Sequence, residues 1–306
     1  MEIRAISLSG DVPGLIEHFK PNAAADAQAH EWTDPEYRAA EGLSNSALKE
    51  FIDDPLAFRL RQLGQLEQRE TSPAMQFGKD AEALVFYGEL EGNPVIIPDE
   101  ALSNTGARRN NAGQSNWSDW TAQNEGRRWL KQAEWDKQIR PLELLRDNVR
   151  ENKTAWNLIH HPRTTKHLCV TWTDPETGIL RKSQLDLFAQ AVPLLIDYKT
   201  TRTLSMRMLP SHIYNVGWHL QAATYREAVF HLTGEWHPWV WIMSKNSPGY
   251  GCECFEADPL WFDIANWTIR QGLRDYVQAV ETGNWQAASM GRIRRVSPPR
   301  YALYKI

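Results

Sequence analysis

Residues 180–201, LRKSQLDLFAQAVPLLIDYKTT, contain two apolar stretches that predict adjacent β-strands, and this segment decides the fold. Because side chains two apart on a strand share a face, Asp197 and Lys199 are expected to point the same way. A returning hairpin would bring Asp186 beside them. The segment therefore predicts that two carboxylates and one ammonium converge.

This grouping of charges suits metal-assisted hydrolysis of a phosphodiester. Carboxylate oxygens hold a hard cation, and a lysine steadies the attacking water or the charge that builds on phosphate. A structural salt bridge between Asp197 and Lys199 is the alternative, and an Asp186 bonded to backbone amides would give the same pattern. An unpaired carboxylate at the end of an apolar strand is costly, and two close carboxylates repel each other, which favours the cation.

Three further side chains are candidates for the same site. Glu82 borders the apolar stripe of a predicted helix, where Gly78 would let that helix approach the sheet closely. Glu82 would be a third oxygen ligand, and a surface glutamate is the alternative. Gln221 and Tyr225 are four apart on one helix face, where they could position Lys199, a water or a phosphate. Ordinary packing would explain that pair equally.

The rest of the chain predicts an α/β fold with a mixed sheet and helices on its faces. Strands are expected over residues 167–173, 180–189, 193–199, 239–244 and 252–256. Helices are expected over residues 44–53, 56–68, 77–90, 121–160, 211–232 and 258–281. Residues 20–42 predict a loosely structured lead-in, and residues 101–120 predict a flexible loop.

Composition is that of a globular protein, with 306 residues, 42% hydrophobic and 24% charged. The formal net charge of -4 argues against a protein that coats nucleic acid indiscriminately. Charge is unevenly distributed, because the first 54 residues are strongly acidic. From Gly291 onward the chain has five basic side chains and no acidic one. That tail predicts a strip that contacts phosphates, and an ordinary solvated terminus is the alternative.

Three cysteines, Cys169, Cys252 and Cys254, are too few and wrongly spaced for a zinc ribbon or an iron–sulfur cluster. The start of the chain lacks a basic region followed by an apolar stretch. No segment approaches the ~18 continuous apolar residues of a membrane span. These features predict a cytoplasmic location and no membrane partner.

Four short motifs, taken in order, resemble the PD-(D/E)XK nucleases of the RecB-like branch. They are Gly78 to Glu82, Lys182-x-x-x-Asp186, Asp197-x-Lys199-Thr200-Thr201 and Gln221-x-x-x-Tyr225. Residues 44–48 (SNSAL) and 172–178 (WTDPETG) resemble more closely the nuclease domain of RecE, exonuclease VIII of prophage recombination systems. The likeness spans roughly residues 43–232. One departure is that RecE-like relatives commonly have His where this chain has Glu82.

The resemblance implies a restriction-endonuclease-like mixed sheet flanked by helices, with a helical N-terminal portion. The chain as a whole is expected to divide into an acidic lead-in (1–42), a nuclease domain (43–285) and a basic tail (286–306). Glu82, Asp186, Asp197 and the Tyr198 carbonyl would be metal ligands and Lys199 would be catalytic. Gln221 and Tyr225 would support them.

The implied activity is digestion of linear double-stranded DNA from 5′ ends with Mg²⁺, or with Mn²⁺ as a substitute. The 3′ single strands would pass to an annealing protein, and the nuclease would form a homo-oligomer, as a ring around DNA. Two alternatives stay open, namely a structure- or sequence-selective endonuclease and a nonenzymatic DNA-binding scaffold for recombination. Trp117 and Trp120, near Arg108 and Arg109, could stack on bases or wedge a duplex end, or they could cap a hydrophobic surface.

Overall fold

A mixed sheet of seven strands forms the centre of the computed structural model, which describes residue 24 and residues 26–67, 71–102 and 114–286. The strands are β1 Gln28–His30, β2 Leu43–Ser44, β3 Val95–Ile96, β4 Trp129–Leu130, β5 Thr164–Thr173, β6 Leu180–Ala189, β7 Leu194–Thr201, β8 Trp239–Lys245 and β9 Cys252–Glu256. The helices are α1 Asp34–Ala39, α2 Asn45–Asp53, α3 Pro55–Gln62, α4 Pro73–Tyr87, α5 Gln114–Gln123, α6 Gln132–Gln138, α7 Arg140–Glu151, α8 Lys153–His160, α9 Leu209–Val216, α10 Trp218–Thr233 and α11 Leu260–Thr282. The basic tail after Gln286, and Arg108 and Arg109, lie outside the described residues.

The sheet has the order β1-β5-β6-β7-β8-β9, with β2 paired to β6. The β7–β8 and β2–β6 pairs are parallel, and the other pairs are antiparallel. Strands β3 and β4 form a separate parallel pair. The predicted mixed sheet flanked by helices is confirmed. Within the described ranges, no helix is long and apolar enough to cross a membrane.

Strand side chains alternate between two hydrophobic cores, one on each face of the sheet. In β8, Trp239, Trp241 and Met243 enter the first core, whereas Val240 and Ile242 enter the second. Helices α2, α10 and α11 contribute to the first core, and α4, α7 and α8 contribute to the second. Because both faces are covered, β8 is an almost continuous apolar run rather than an alternating one.

The prediction that residues 20–42 are loosely structured is wrong for the second half of this segment. Strand β1 pairs with β5, with Gln28 opposite Thr171, because the edge of the sheet supplies backbone partners. Helix α1 starts at a local cap, where the Thr33 backbone N–H donates to Glu36 Oε2 at 2.8 Å. These short elements have weak signals in their local sequence, so their formation depends on partners that are distant along the chain.

Two predicted helices are divided, and the predicted loop over residues 101–120 contains the start of a helix. The stretch 121–160 forms the end of α5, then β4, α6, α7 and α8, because Pro141 starts a new helix and Asn152 caps another. The stretch 211–232 is broken between α9 and α10 at Gly217, whose φ of +79° is left-handed. Helix α5 begins at Gln114, inside the predicted loop.

Strands β6 and β7 separate part-way along their length. Their ladder runs from the Ala189–Leu194 pair only as far as the pair of Leu187 with Ile196. Farther along β6, strand β2 takes the place of β7, with Leu43 opposite Arg181. The resulting fork opens where Asp186 and Asp197 leave the paired region.

Gly272→Ala is expected to destabilise the protein by about 1–3 kcal/mol, because an added methyl group would overpack the contact between α11 and α2. A Cβ at this position would lie 2.6 Å from Ile52 Cδ1 and 3.4 Å from Leu48 Cδ1. Urea unfolding measures the loss. Ile52→Val removes the nearest methyl group, so the double variant should recover part of the loss; full additivity of the two changes would contradict the steric explanation.

Candidate active site

The structure brings Asp186, Asp197 and Lys199 together at the fork between β6 and β7. The Lys199 Nζ donates to Asp197 Oδ1 at 2.5 Å and lies 3.7 Å from Asp186 Oδ2. Asp197 is almost fully buried, and the Lys199 side chain is 17% exposed. The lysine is therefore held between two acids but remains accessible from outside.

The Asp186 side chain is fixed by the backbone of the neighbouring strand. The Tyr198 N–H donates to Asp186 Oδ2 at 3.0 Å, across the fork where the regular ladder has ended. The Tyr198 side chain points the other way, and its hydroxyl donates to Ser244 Oγ at 3.0 Å in the second core. Tyr198 thus contributes to the site through its main chain only.

Glu82 reaches the site from α4, on the second face of the sheet. Helix α4 lies close to β7 at Gly78, where an added Cβ would be 3.2 Å from Thr200 Oγ1. The sequence predicts this close approach at Gly78, and the structure has it. Asp186 and Lys199 both act electrostatically on the Glu82 carboxyl group.

Asp186 disfavours the ionisation of the two other carboxyl groups, those of Asp197 and Glu82. Burial raises the pKa of Asp197 well above its usual value; Lys199 opposes the rise, and Asp186 adds to it. Burial, followed by the charge of Asp186, raises the pKa of Glu82 to about 8. Carboxyl groups that are poorly solvated and close together are stabilised in their charged form by a cation.

Lys199 is strongly held as an ammonium. Burial alone would lower its pKa, but Asp186 and Asp197 outweigh burial and raise the pKa above its usual value. A lysine in this state does not serve as a general base at neutral pH. It instead places a fixed positive charge, with protons to donate, beside the acids.

No group of three or more His, Cys, Asp or Glu side chains in the described ranges is arranged to hold a metal ion. The ammonium of Lys199 lies against Asp197 Oδ1, and it also lies 3.5 Å from the Tyr198 carbonyl. The donors nevertheless suit a hard cation, because they are carboxylate oxygens. Asp197 Oδ2 is buried without a hydrogen-bond partner among the described residues, as expected for an atom with a free coordinating position.

Gln221 and Tyr225 lie on α10 and contact each other. The Gln221 Nε2 donates to the Tyr225 hydroxyl at 3.1 Å. Neither forms a hydrogen bond with the charged groups of the site in the described structure. Burial, and then Asp186, raise the pKa of Tyr225 well above its usual value, so the phenol stays neutral near the acids. The supporting role of this pair stays a prediction.

Lys182, the first residue of the second sequence motif, is not brought to the site. Its Nζ donates to the carbonyl of Tyr37 at 2.8 Å and also bonds the carbonyl of Ala40. It therefore holds the end of α1 on β6. It also lines a cavity of about 620 Å³ beside β2, together with Arg38 and Arg61, and none of the residues of the acidic site lines that cavity.

Trp117 and Trp120 pack against each other and against Trp129 rather than standing free. The ring centroids of Trp117 and Trp120 are 5.9 Å apart, and that of Trp129 lies 5.9 Å and 5.5 Å from them. This arrangement favours the alternative in which Trp117 and Trp120 cover a hydrophobic surface. Stacking of these rings on DNA bases stays a prediction.

A family model described as the PD-(D/E)XK nuclease superfamily matches residues 42–247, which extend from just before β2 to just after β8. The chain belongs to this superfamily. Glu82, Asp186, Asp197 and Lys199 all fall within the matched residues. PD-(D/E)XK nucleases generally use divalent metal ions, which agrees with the oxygen donors at the fork.

Solved structures of similar fold include a crystal structure from Eubacterium rectale described as a "putative exonuclease". It has a TM-score of 0.57 and 14% identity, covering 90% of this chain and 98% of that chain. A phage-related exonuclease from Haemophilus somnus has a TM-score of only 0.29 and 8% identity, covering 80% of this chain and 97% of that one. Among curated proteins, no sequence matches the chain. The first similarity shows a shared fold alone, and the second is too weak to argue from.

One residue beside Glu82 has no signal in the sequence. His167 on β5 places its Nε2 3.5 Å from Glu82 Oε1. A single histidine in a strand is unremarkable without knowledge of what faces it. Only the pairing of β5 with β6 and the packing of α4 bring it to the acids.

Proposed function

We propose that the protein is a divalent-metal-dependent exonuclease that hydrolyses linear double-stranded DNA, working from 5′ ends with Mg²⁺. The observation that carries the proposal is the contact of Lys199 with both Asp186 and Asp197 at the fork of a PD-(D/E)XK chain, with Glu82 near enough to act electrostatically on them. In this proposal the three carboxylates and the Tyr198 carbonyl are the metal ligands. Lys199 is the catalytic cation.

Each side chain has a separate task in the reaction. A bound divalent ion would supply Lewis-acid stabilisation of the phosphate and acidify a water. Asp186 and Asp197 hold Lys199 in one place, so its charge is already positioned when negative charge builds on the phosphate. Tyr198 N–H fixes the orientation of Asp186. Gln221 and Tyr225 are proposed to orient the substrate from α10.

The preference for DNA ends rests on two supports. The RecE-like motifs at residues 44–48 and 172–178 imply it, and the Eubacterium rectale structure of the same fold carries an exonuclease description. With this preference come three further proposals: 3′ single strands as product, an annealing protein as cytoplasmic partner, and a homo-oligomer around the duplex. The basic tail is the proposed additional contact with phosphates.

The test compares linear duplex, labelled at either its 5′ or its 3′ end, with the same DNA as a closed circle. With Mg²⁺, early release of labelled mononucleotides from the 5′-labelled strand is expected, and the closed circle should stay intact. Cutting of the circle would favour the endonuclease alternative. Binding without cleavage at any metal concentration would favour the nonenzymatic scaffold.

Lys199→Met is expected to lower kcat by about 10²–10³-fold, because it removes a positioned charge that acts on the transition state. Lys199→Arg keeps the charge, and should retain more activity than Met although its guanidinium is larger. Single-turnover cleavage of labelled duplex measures both variants. Equal activity of Arg and Met would contradict an electrostatic role and indicate that the primary amine itself is required.

A further inference from the structure

His167 lies in the middle of β5 but has a left-handed backbone, with φ at +52°. Its sequence neighbours pair regularly with β6, Lys166 with Leu187 and Leu168 with Leu185. His167 and Asp186, which lie opposite each other, form no ladder pair. A non-glycine residue in this region costs about 1–3 kcal/mol and persists only where its surroundings enforce it. The strain falls on the residue that faces a proposed metal ligand.

The interruption changes which way the strand residues face. Leu185 packs in the first core and Leu187 in the second, although strand residues two apart normally share a face. The alternation of β6 side chains between the two faces of the sheet therefore shifts by one residue at Asp186. On the opposite strand, the ring of His167 contacts α4.

The ring of His167 contacts three residues of α4. It stacks on Tyr87, with centroids 6.0 Å apart and planes 21° apart, and it lies against Phe86 at 5.9 Å. Its Nε2 is 3.5 Å from Glu82 Oε1. Within the described structure, the Glu82 carboxylate has no other polar side chain or backbone group at hydrogen-bond or ion-pair distance.

We infer that His167 is a positioning residue of the nuclease site, which holds the Glu82 carboxylate toward Asp186 and Lys199. A glutamate without a partner samples many rotamers, and ordering it costs entropy each time the site assembles. The two aromatic rings fix the imidazole, and the imidazole fixes the carboxylate. This inference rests on the proposed function, in which Glu82 is a metal ligand.

His167→Gly separates the backbone from the side chain. Glycine tolerates a φ of +52°, and this relief offsets the loss of the ring contacts with Phe86 and Tyr87, so the melting temperature should stay near that of the wild type. Its kcat is expected to fall by about 10–100-fold, as for other residues that orient a metal ligand, with KM for DNA little changed. The Mg²⁺ concentration for half-maximal thermal stabilisation, measured without DNA, should rise by a similar factor.

Two further variants control this experiment. His167→Gln keeps an N–H donor of similar reach and should recover part of the kcat, although its Cβ makes the backbone less favourable. Asn93→Gly makes the same kind of replacement at a turn residue with φ of +40°, and should leave kcat and the Mg²⁺ response unchanged. If His167 has only a structural role, the kcat of each variant should instead fall in proportion to the fall in its melting temperature.

The outcomes distinguish the two proposals. If the wild type cleaves DNA and His167→Gly matches it in kcat and Mg²⁺ response, the positioning role is wrong and the nuclease proposal stands. Activity that follows melting temperature, with no recovery in His167→Gln, also overturns the positioning role. If the wild type cleaves no DNA with any divalent ion, the nuclease proposal fails, and the positioning role fails with it.

Discussion

Asp197→Asn is expected to lower kcat for hydrolysis of linear duplex DNA by about 10³-fold or more, since it removes charge where both a cation and Lys199 are stabilised. Asparagine keeps the size of the side chain, so the buried strand can pack as before. What it loses is the carboxylate whose Oδ1 accepts from Lys199 at 2.5 Å and whose Oδ2 has no partner among the described residues. Steady-state release of labelled nucleotides measures the effect.

A second measurement shows whether Asp197→Asn acts through the cation. Mg²⁺ should raise the melting temperature of the wild type, because an ion that binds only the folded state stabilises it and relieves repulsion among the acids. The rise should be largely lost in Asp197→Asn. Asp147→Asn on the surface of α7, where Asp147 pairs with Arg146 at 2.8 Å, is the matched control and should behave as the wild type. Retained activity in Asp197→Asn would overturn the site.

The paired strands and the cores could be predicted from sequence because local and long-range signals agree there. The apolar stretches of β6 and β7 are long and are separated by a short turn. Their lengths and their hydrophobic patterns both predict that the two strands pair with each other. The acids at their inner ends follow from strand geometry alone. Because α4 is amphipathic and approaches the sheet at Gly78, Glu82 could also be proposed beforehand.

The fork itself could not be predicted. Strand β2 is only two residues long, and its sequence signals the cap of α2, where Ser44 accepts a bond from the Ala47 N–H. Its pairing with β6 depends on residues far along the chain. The change of alternation between Leu185 and Leu187 and the backbone of His167 are equally invisible, because a regular period of two assigns Leu185 and Leu187 to one face.

A second charged group lies buried in the first core, away from the acids of the fork. Arg181 donates to Glu227 Oε2 at 2.6 Å, and Arg270 bonds both Glu227 and Asp174. Glu227 is 2% exposed, and Arg181 lies over the ring of Trp172 at 5.0 Å. The group joins β6, α10, α11 and the turn after β5.

Glu227→Gln is expected to destabilise the protein by about 3–5 kcal/mol, because it leaves two buried guanidinium groups without their shared negative charge. Guanidinium chloride unfolding at pH 7 measures the loss. Glu176→Gln is the matched control, because Glu176 pairs with Arg274 at 2.7 Å and both side chains are about half exposed. That variant should lose less than about 1 kcal/mol. If the two variants lose similar amounts of unfolding free energy, the buried charged group does not stabilise the protein more than a surface ion pair does.

The same carboxylate gives stability a defined dependence on pH. Burial opposes its ionisation, but Arg181, His231 and Arg270 outweigh burial and lower the pKa of Glu227 from 4.5 to about 2. Because the folded-state pKa is depressed, the stabilisation is complete above about pH 5 and is lost as pH falls toward 2, by about 3 kcal/mol in total. Glu227→Gln lacks this titration. Its unfolding free energy should therefore converge on that of the wild type as pH falls from 5 to 2, and parallel curves over that range would show that Glu227 is not the titrating group.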